Sequence, residues 1–337
     1  MRTVVLTLAL AVTACGGSQE GDDVAMTDAA PESASNDATL ASDAADATVL
    51  DAGSPSDAAG PCGTRTGERG LTYRSITMPT APQNRTYVVY LPATLDPQTP
   101  APIVIVHHGY TMSGQAMVDI TEYTELADAE GIAVVFPDGE SGPNSLGAPW
   151  NVGEGNCPSY EGAVPVATGD DVAFDEAMRA DVENDQCVDE AHTFVTGFSM
   201  GAYFSHHIGC LRPDFARAIA PHSGGTHDFS TCAPGHEPVI VFHGDSDPVV
   251  PKSCDDAAVA QWIQKNGCSA TADVVQVTNG SCSYYQNCPS DGQVAYCTFS
   301  GLGHAWAGGS ADGGIFSAPG YASATELQWD FFKKYAW

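Results

Sequence analysis

Residues 197–201 read Gly-Phe-Ser-Met-Gly and follow directly on the apolar run Thr193-Phe194-Val195-Thr196. A short buried strand that turns at once into a helix around one serine has few backbone solutions. This one is the nucleophile elbow of serine hydrolases. Gly197 and Gly201 keep side chains out of a turn so tight that strand and helix nearly touch. Ser199 is then expected in a strained conformation, its hydroxyl raised above the sheet edge. With 35 glycines in 337 residues such a pentapeptide can arise by chance, so its weight depends on what accompanies it.

Two later segments supply partners in a definite order. Val239-Ile240-Val241-Phe242 is a continuous apolar run of the kind a buried parallel strand shows. It ends in the acidic loop His243-Gly244-Asp245-Ser246-Asp247-Pro248. Val294–Phe299 reads as a further strand and runs into Ser300-Gly301-Leu302-Gly303-His304-Ala305-Trp306. The chain order Ser199, Asp247, His304 is the α/β-hydrolase order and differs from those of the two unrelated serine-protease folds. A serine hydroxyl is a weak nucleophile, so His304 is expected to take its proton and return it to the leaving group. Asp247 is expected to accept the other imidazole N–H and fix the tautomer. Asp245 is the competing acid; Asp247 is preferred because it sits deeper in the loop, directly before Pro248.

An acyl-transfer site also needs two N–H donors for the oxyanion. Met200, the residue after the nucleophile, is one. The other is expected at Tyr110, in the loop His107-His108-Gly109-Tyr110 that follows the strand-like run Pro102–Val106. His107 and His108 read as packing and hydrogen-bonding residues, because neighbours on a strand face opposite ways and cannot easily grip one ion. This chemistry requires no metal and no cofactor.

The run Arg85–Pro92, the His-Gly loop, Trp150-Asn151, Asp170-Asp171-Val172 with Phe174, the elbow, the acidic loop and Gly301-Leu302-Gly303-His304-Ala305-Trp306 together resemble one family. It is the secreted esterase family that contains feruloyl esterases and polyhydroxybutyrate depolymerases. The likeness covers about residues 62–337 with order and approximate spacing kept. It implies an ester hydrolase in which Ser199, Asp247 and His304 form the triad. No polymer-binding module follows the catalytic region, which weakens a solid-polyester reading.

The N-terminus carries Arg2, an apolar stretch from Val4 to Val12 and then Thr13-Ala14-Cys15. That is too short to span a bilayer, which takes ~20 apolar residues. Residues 1–15 resemble a lipoprotein signal segment in which Cys15 becomes the lipid-modified N-terminus; an ordinary cleaved signal peptide is the alternative. Gly17 differs from the aspartate of an inner-membrane retention signal, so an outer-membrane or surface anchor is expected, with this lipid as the only bilayer contact. Residues 16–61 contain no Lys, Arg or aromatic residue, cannot bury enough apolar surface to fold, and read as an acidic tether. Residues 62–337 are then one catalytic domain, expected to act as a monomer. With Cys15 set aside, ten of the eleven cysteines remain; an even number in an exported chain points to disulfides, and Cys187–Cys210 is the first pair to consider. Twelve basic against 42 acidic residues argue against nucleic acid and favour a neutral ester substrate.

Strands at Thr86–Leu91 (antiparallel), Ile103–Val106, Ile132–Phe136, the elbow, Ala218–Pro221, Val239–Phe242 and Ala295–Phe299 alternate with helices near Asp119–Ala129, Val172–Glu183, Asp255–Asn266 and Thr325–Tyr335. That alternation predicts an α/β-hydrolase fold: a mostly parallel sheet with helices on both faces and no large lid. The Gly/Pro-rich stretch from Asp138 to Gly169 is long enough to be functional, and Trp150 and Trp306 read as walls of the substrate pocket, with core packing as the equal alternative for each. Asp170 and Asp171 read as helix caps. Hydroxycinnamoyl esters on plant polysaccharide are the favoured substrate; hydroxybutyrate polyester, acetylated xylan and, on a peptidase reading, amides stay open. A catalytically dead binding protein is disfavoured because no triad position is lost.

Overall fold

The computed structural model describes residues 62, 67–140, 147–153, 157, 167, 169–226 and 229–336. The signal segment, Cys15 and the tether lie outside the described residues.

The chain opens with strands β1 (Gly70–Thr77), β2 (Asn84–Leu91) and β3 (Ala101–His107), followed by helices α1 (Gly114–Thr121) and α2 (Tyr123–Glu130). Strand β4 (Ala133–Pro137), helix α3 (Asp171–Asp185), strand β5 (Val188–Phe198) and helix α4 (Met200–Leu211) carry the chain through the elbow. Then come β6 (Ala218–His222), β7 (Val239–Gly244), α5 (Lys252–Asn266), β8 (Ala272–Val277), β9 (Gly280–Tyr285), β10 (Val294–Phe299) and α6 (Ala324–Phe332). The main sheet has ten strands in the order β1-β2-β4-β3-β5-β6-β7-β10-β9-β8. Its middle, β4 to β10, is parallel, and an antiparallel pair flanks it at each edge.

The continuous apolar runs exist because both faces of the parallel strands are covered. Ile103 and Ile105 point into one core with Phe174, Phe204 and Trp262 from α3, α4 and α5. Val104 and Val106 point into the other with Met117, Tyr123 and Trp329 from α1, α2 and α6. Three helices thus pack on each face, and the loops at the carboxyl ends of the strands are left to carry the site.

Three differences from the sequence reading have local causes. The helix expected over Asp119–Ala129 is two helices, because Glu122 adopts φ 58° and breaks the chain between α1 and α2. The β8–β9 hairpin turns through Asn279 (φ 57°) and Gly280; the Asn-Gly pair is the signal that could have found it. The bridge expected between Cys187 and Cys210 is not formed. Cys187 pairs with Cys62 and Cys210 with Cys232, because the Ala233 N–H donates to the Cys210 carbonyl (2.8 Å) and so holds Cys232 against the end of α4. The others are Cys157–Cys254, Cys268–Cys288 and Cys282–Cys297, so all ten cysteines of the folded region are bridged. Five disulfides fit an exported protein.

Candidate active site

The elbow is built by close backbone approach. A Cβ on Gly197 would lie 2.4 Å from the Gly201 carbonyl oxygen, and one on Gly201 would lie 2.4 Å from the His107 carbonyl oxygen. Strand β5, helix α4 and the end of β3 therefore meet at distances only glycine permits. Ser199 sits between them at φ 56°, ψ −117°, the strained geometry expected of an elbow serine. Its N–H donates to the His222 carbonyl (3.0 Å), which ties the turn to the end of β6.

The loop after β3 lies against the serine: a Cβ on Gly109 would be 3.2 Å from Ser199 Cβ and 3.0 Å from Met112 Sδ. The Met112 N–H donates back to the Gly109 carbonyl (3.0 Å), with Thr111 at φ 67°, so Tyr110 rides on a tight turn. Met200 opens α4. Among the described residues, neither the Tyr110 nor the Met200 N–H meets a backbone acceptor, which leaves both donors available.

The acid and histidine loops are laced together. The Asp245 and Ser246 N–H groups donate to the carbonyls of Phe299 and Leu302 (3.0 and 3.1 Å). A Cβ on Gly244 would be 2.2 Å from the Leu302 oxygen, so the glycine is required there. This brings His304 Nδ1 to 2.7 Å from Asp247 Oδ2, with the two side chains 8% and 0% exposed. Asp245 is spent elsewhere, accepting from the Gly301 N–H at 2.7 Å. Burial pushes the Asp247 carboxyl up, but the His304 hydrogen bond and the N–H groups of Val249 and Val250 outweigh it and hold it below the usual carboxylate range. The His304 ring lies 4.7 Å from that of Phe198, the residue before the serine.

The two tryptophans do not wall the site. Trp150 and Trp306 are both 0% exposed. A buried indole N–H needs an acceptor, and each has one inside the protein. Trp150 Nε1 donates to the His108 carbonyl (2.8 Å) while its ring stacks on Phe204. Trp306 Nε1 donates to Thr325 Oγ1 (3.1 Å) while its ring stacks on His222. Both brace the site from behind. Asp170 caps α3 through Ala173, as expected, whereas Asp171 is buried against Arg85 (2.7 Å) and accepts from the Asn151 N–H, pinning the Trp150-Asn151 segment.

His108 is the hydrogen-bonding residue expected from the sequence, and His222, given no role there, is structural as well. His108 Nε2 accepts the Gly139 N–H (2.8 Å) and His222 Nε2 accepts the Ala307 N–H (3.1 Å), so both rings are held neutral. Burial pushes His108 down to about 4, the Gly109 carbonyl opposing it. Burial, aided by His243, pushes His222 down to about 3. A base depressed in the folded state binds fewer protons there than in the unfolded chain, so stability must fall as pH drops below about 6.5. We expect the melting temperature to fall by roughly 5–10 °C per pH unit between pH 6 and 4. A melting temperature flat over that range in a calorimetric series would contradict the assignment.

No family model matches the chain. Feruloyl esterase C of Emericella nidulans is 32% identical over 257 residues, 74% of this chain and 83% of that protein. The chain belongs to the feruloyl esterase C family. It is accordingly a carboxylic ester hydrolase. A more distant relative of this esterase is the poly(3-hydroxyalkanoate) depolymerase C of Paucimonas lemoignei, 23% identical over 60% of the chain and 55% of the depolymerase. Among solved structures, an acetyl xylan esterase from Aspergillus awamori superimposes with a TM-score of 0.57 at 17% identity, covering 78% of this chain and 99% of the other. The esterase therefore has the α/β-hydrolase fold expected from its sequence.

Proposed function

We propose that this esterase hydrolyses hydroxycinnamoyl esters through an acyl-enzyme on Ser199. The observation that carries the reading is the His304 Nδ1–Asp247 contact of 2.7 Å, with the His304 ring against Phe198, the residue before a serine at positive φ. With Nδ1 committed to the carboxylate, Nε2 is the nitrogen left to take the Ser199 proton as Oγ attacks the acyl carbon. The oxyanion then meets the free N–H groups of Met200 and Tyr110. His304 returns the proton to the departing alkoxide, and the same cycle run with water releases the acid.

For the acyl group, the surface that replaces the buried tryptophans is an open cavity of about 450 Å³ lined by Met112, Ile120, Gly313 and Phe316 together with Asp119 and Asp312. Two contacts tie it to the reacting residues: Met112 packs at Gly109 next to Ser199, and the Phe316 ring lies 6.2 Å from Phe198. A phenyl ring seated on a methionine sulfur and a phenylalanine gains ~0.5–1.5 kcal/mol beyond burial. Methyl ferulate should therefore outperform both acetylated xylan and a hydroxybutyrate trimer in kcat/KM. Met112→Ala and Phe316→Ala should each cost about 3–10-fold on methyl ferulate and leave p-nitrophenyl acetate nearly unaffected. The depolymerase relative keeps a second reading in view, a polyester or oligoester substrate, and a wide win for the trimer would replace the first with it.

The reading extends to export: residues 62–337 as the catalytic domain, 16–61 as a tether and Cys15 as a lipid anchor. The motif Val12-Thr13-Ala14-Cys15 supports it. Cys15→Ser should move the protein out of the detergent phase, and an unchanged partition would end the anchor reading.

A further inference from the structure

Behind the proposed triad lies a second buried His–Asp couple that ester hydrolysis does not itself use. His243 is the penultimate residue of strand β7 and Asp255 lies in the first turn of α5; both side chains are 0% exposed. His243 Nδ1 is 2.6 Å from Asp255 Oδ2, and Nε2 is 3.0 Å from the Val250 carbonyl and 3.7 Å from Asp247 Oδ2. The proton count follows from the partners. A carbonyl only accepts, so Nε2 carries a hydrogen. Asp255 accepts from two further donors, the Gly224 N–H on Oδ2 (3.1 Å) and His206 Nε2 on Oδ1 (3.4 Å). His206 Nδ1 accepts from Trp262 Nε1 (2.9 Å), so its proton is on Nε2. Three N–H groups directed at one carboxyl favour its carboxylate form, and His243 Nδ1 then carries a hydrogen as well.

We propose that His243 is a positioning residue for the ester-hydrolysis site: an imidazolium clamped by Asp255 that holds the Asp247 loop in place and lies against the Asp247 carboxylate. The proposal rests on Asp247 being the triad acid. The clamp acts through Val250, whose carbonyl accepts from His243 while its N–H donates to Asp247 Oδ1 (2.9 Å). Charges alternate along the row: Asp255 negative, His243 positive, Asp247 negative, and His304 positive once it has taken the serine proton. The other titratable rings packed on this row are His206, whose Nδ1 accepts from Trp262 while its Nε2 faces Asp255, and His222, held neutral. Burial works against charge on His243, but Asp255 and the Val250 carbonyl outweigh it and hold the ring above its ordinary range. Asp255 is in turn held far below the usual carboxylate range: burial opposes this, and the His206 and His243 hydrogen bonds prevail.

A positive charge behind Asp247 draws on the same carboxylate that faces His304. Removing it should move the acid limb of the pH profile upward. The test compares pH profiles of kcat and kcat/KM on p-nitrophenyl acetate for the full chain, the neutral double variant His243→Gln/Asp255→Asn, and Asp247→Asn. The double variant avoids stranding one charge in the interior. It should lose on the order of 10–10²-fold in kcat with KM little changed. Its acid limb should move up by roughly half to one pH unit. If it keeps the wild-type kcat and acid limb while Asp247→Asn is crippled, the positioning role is wrong and the triad reading survives. If Asp247→Asn is as active as wild type, the triad reading itself fails. Should the double variant not fold, nitrogen-15 histidine spectra of the wild-type enzyme decide: the His243 ring must carry two N–H protons at pH 7, and a single ring proton overturns the proposal.

Discussion

Ser199→Ala and His304→Ala should each remove ester hydrolysis almost entirely, with losses on the order of 10⁴–10⁶ in kcat. The two losses should not add, because a nucleophile without its base and a base without its nucleophile are equally idle. Neither change should disturb the fold. Ser199 follows the end of β5 and His304 lies in the loop after β10, neither in a core cluster, and the His222 carbonyl still receives the N–H of residue 199. Asp247→Asn should cost less but remain severe, near 10⁴-fold, since the amide can present its N–H to His304 and leave the wrong tautomer. Asp245→Asn should be mild, because that carboxylate accepts from Gly301 and Ser246 and makes no contact with His304. A damaging Asp245→Asn beside a harmless Asp247→Asn would reverse the assignment of the acid.

Reduction of the disulfides should be the largest perturbation of stability. The bridges close loops of 125, 97, 22, 20 and 15 residues. Each native bridge in an exported domain contributes ~2–5 kcal/mol, the longer loops more. In a domain of this size that is about 4–20 °C of melting temperature per bridge. The Cys157–Cys254 bridge has a second consequence, since Cys254 adjoins Asp255 and sits where α5 begins. Its loss should lower kcat before the chain unfolds. Calorimetry after graded reduction, with free thiols counted at each step, checks both effects. An unchanged melting temperature with all ten thiols free would show that the bridges are idle.

The candidate site was legible where chemistry demands a residue type at a fixed place. Ser199 is announced by flanking glycines, and the structure shows why: either Cβ would collide with backbone. Asp247 and His304 are announced by apolar runs that end in Gly-containing loops. The failures came where a residue type has two stable uses. A tryptophan near a site can face the ligand or brace the loop behind it, and nothing in the spacing around Trp150 or Trp306 shows that the indole N–H finds His108 or Thr325. Met112 and Phe316 gave no signal, being ordinary apolar residues that a tight turn and a late loop bring to one cavity. Disulfide pairing was illegible for a similar reason, because Cys210 meets Cys232 through a loop contact no local pattern encodes. His243 was visible as the start of the acidic loop, but its role needs the 2.6 Å contact with a residue of α5.

The most direct test of the account is covalent capture of the nucleophile. The full chain is treated with a fluorophosphonate, its intact mass is measured, and the labelled peptide is sequenced while p-nitrophenyl acetate hydrolysis is followed in parallel. One adduct per chain is expected, located at Ser199, with activity lost in step with labelling and no adduct on the Ser199→Ala protein. An enzyme that keeps its activity when Ser199 is fully labelled, or that carries the label on another residue, would contradict it.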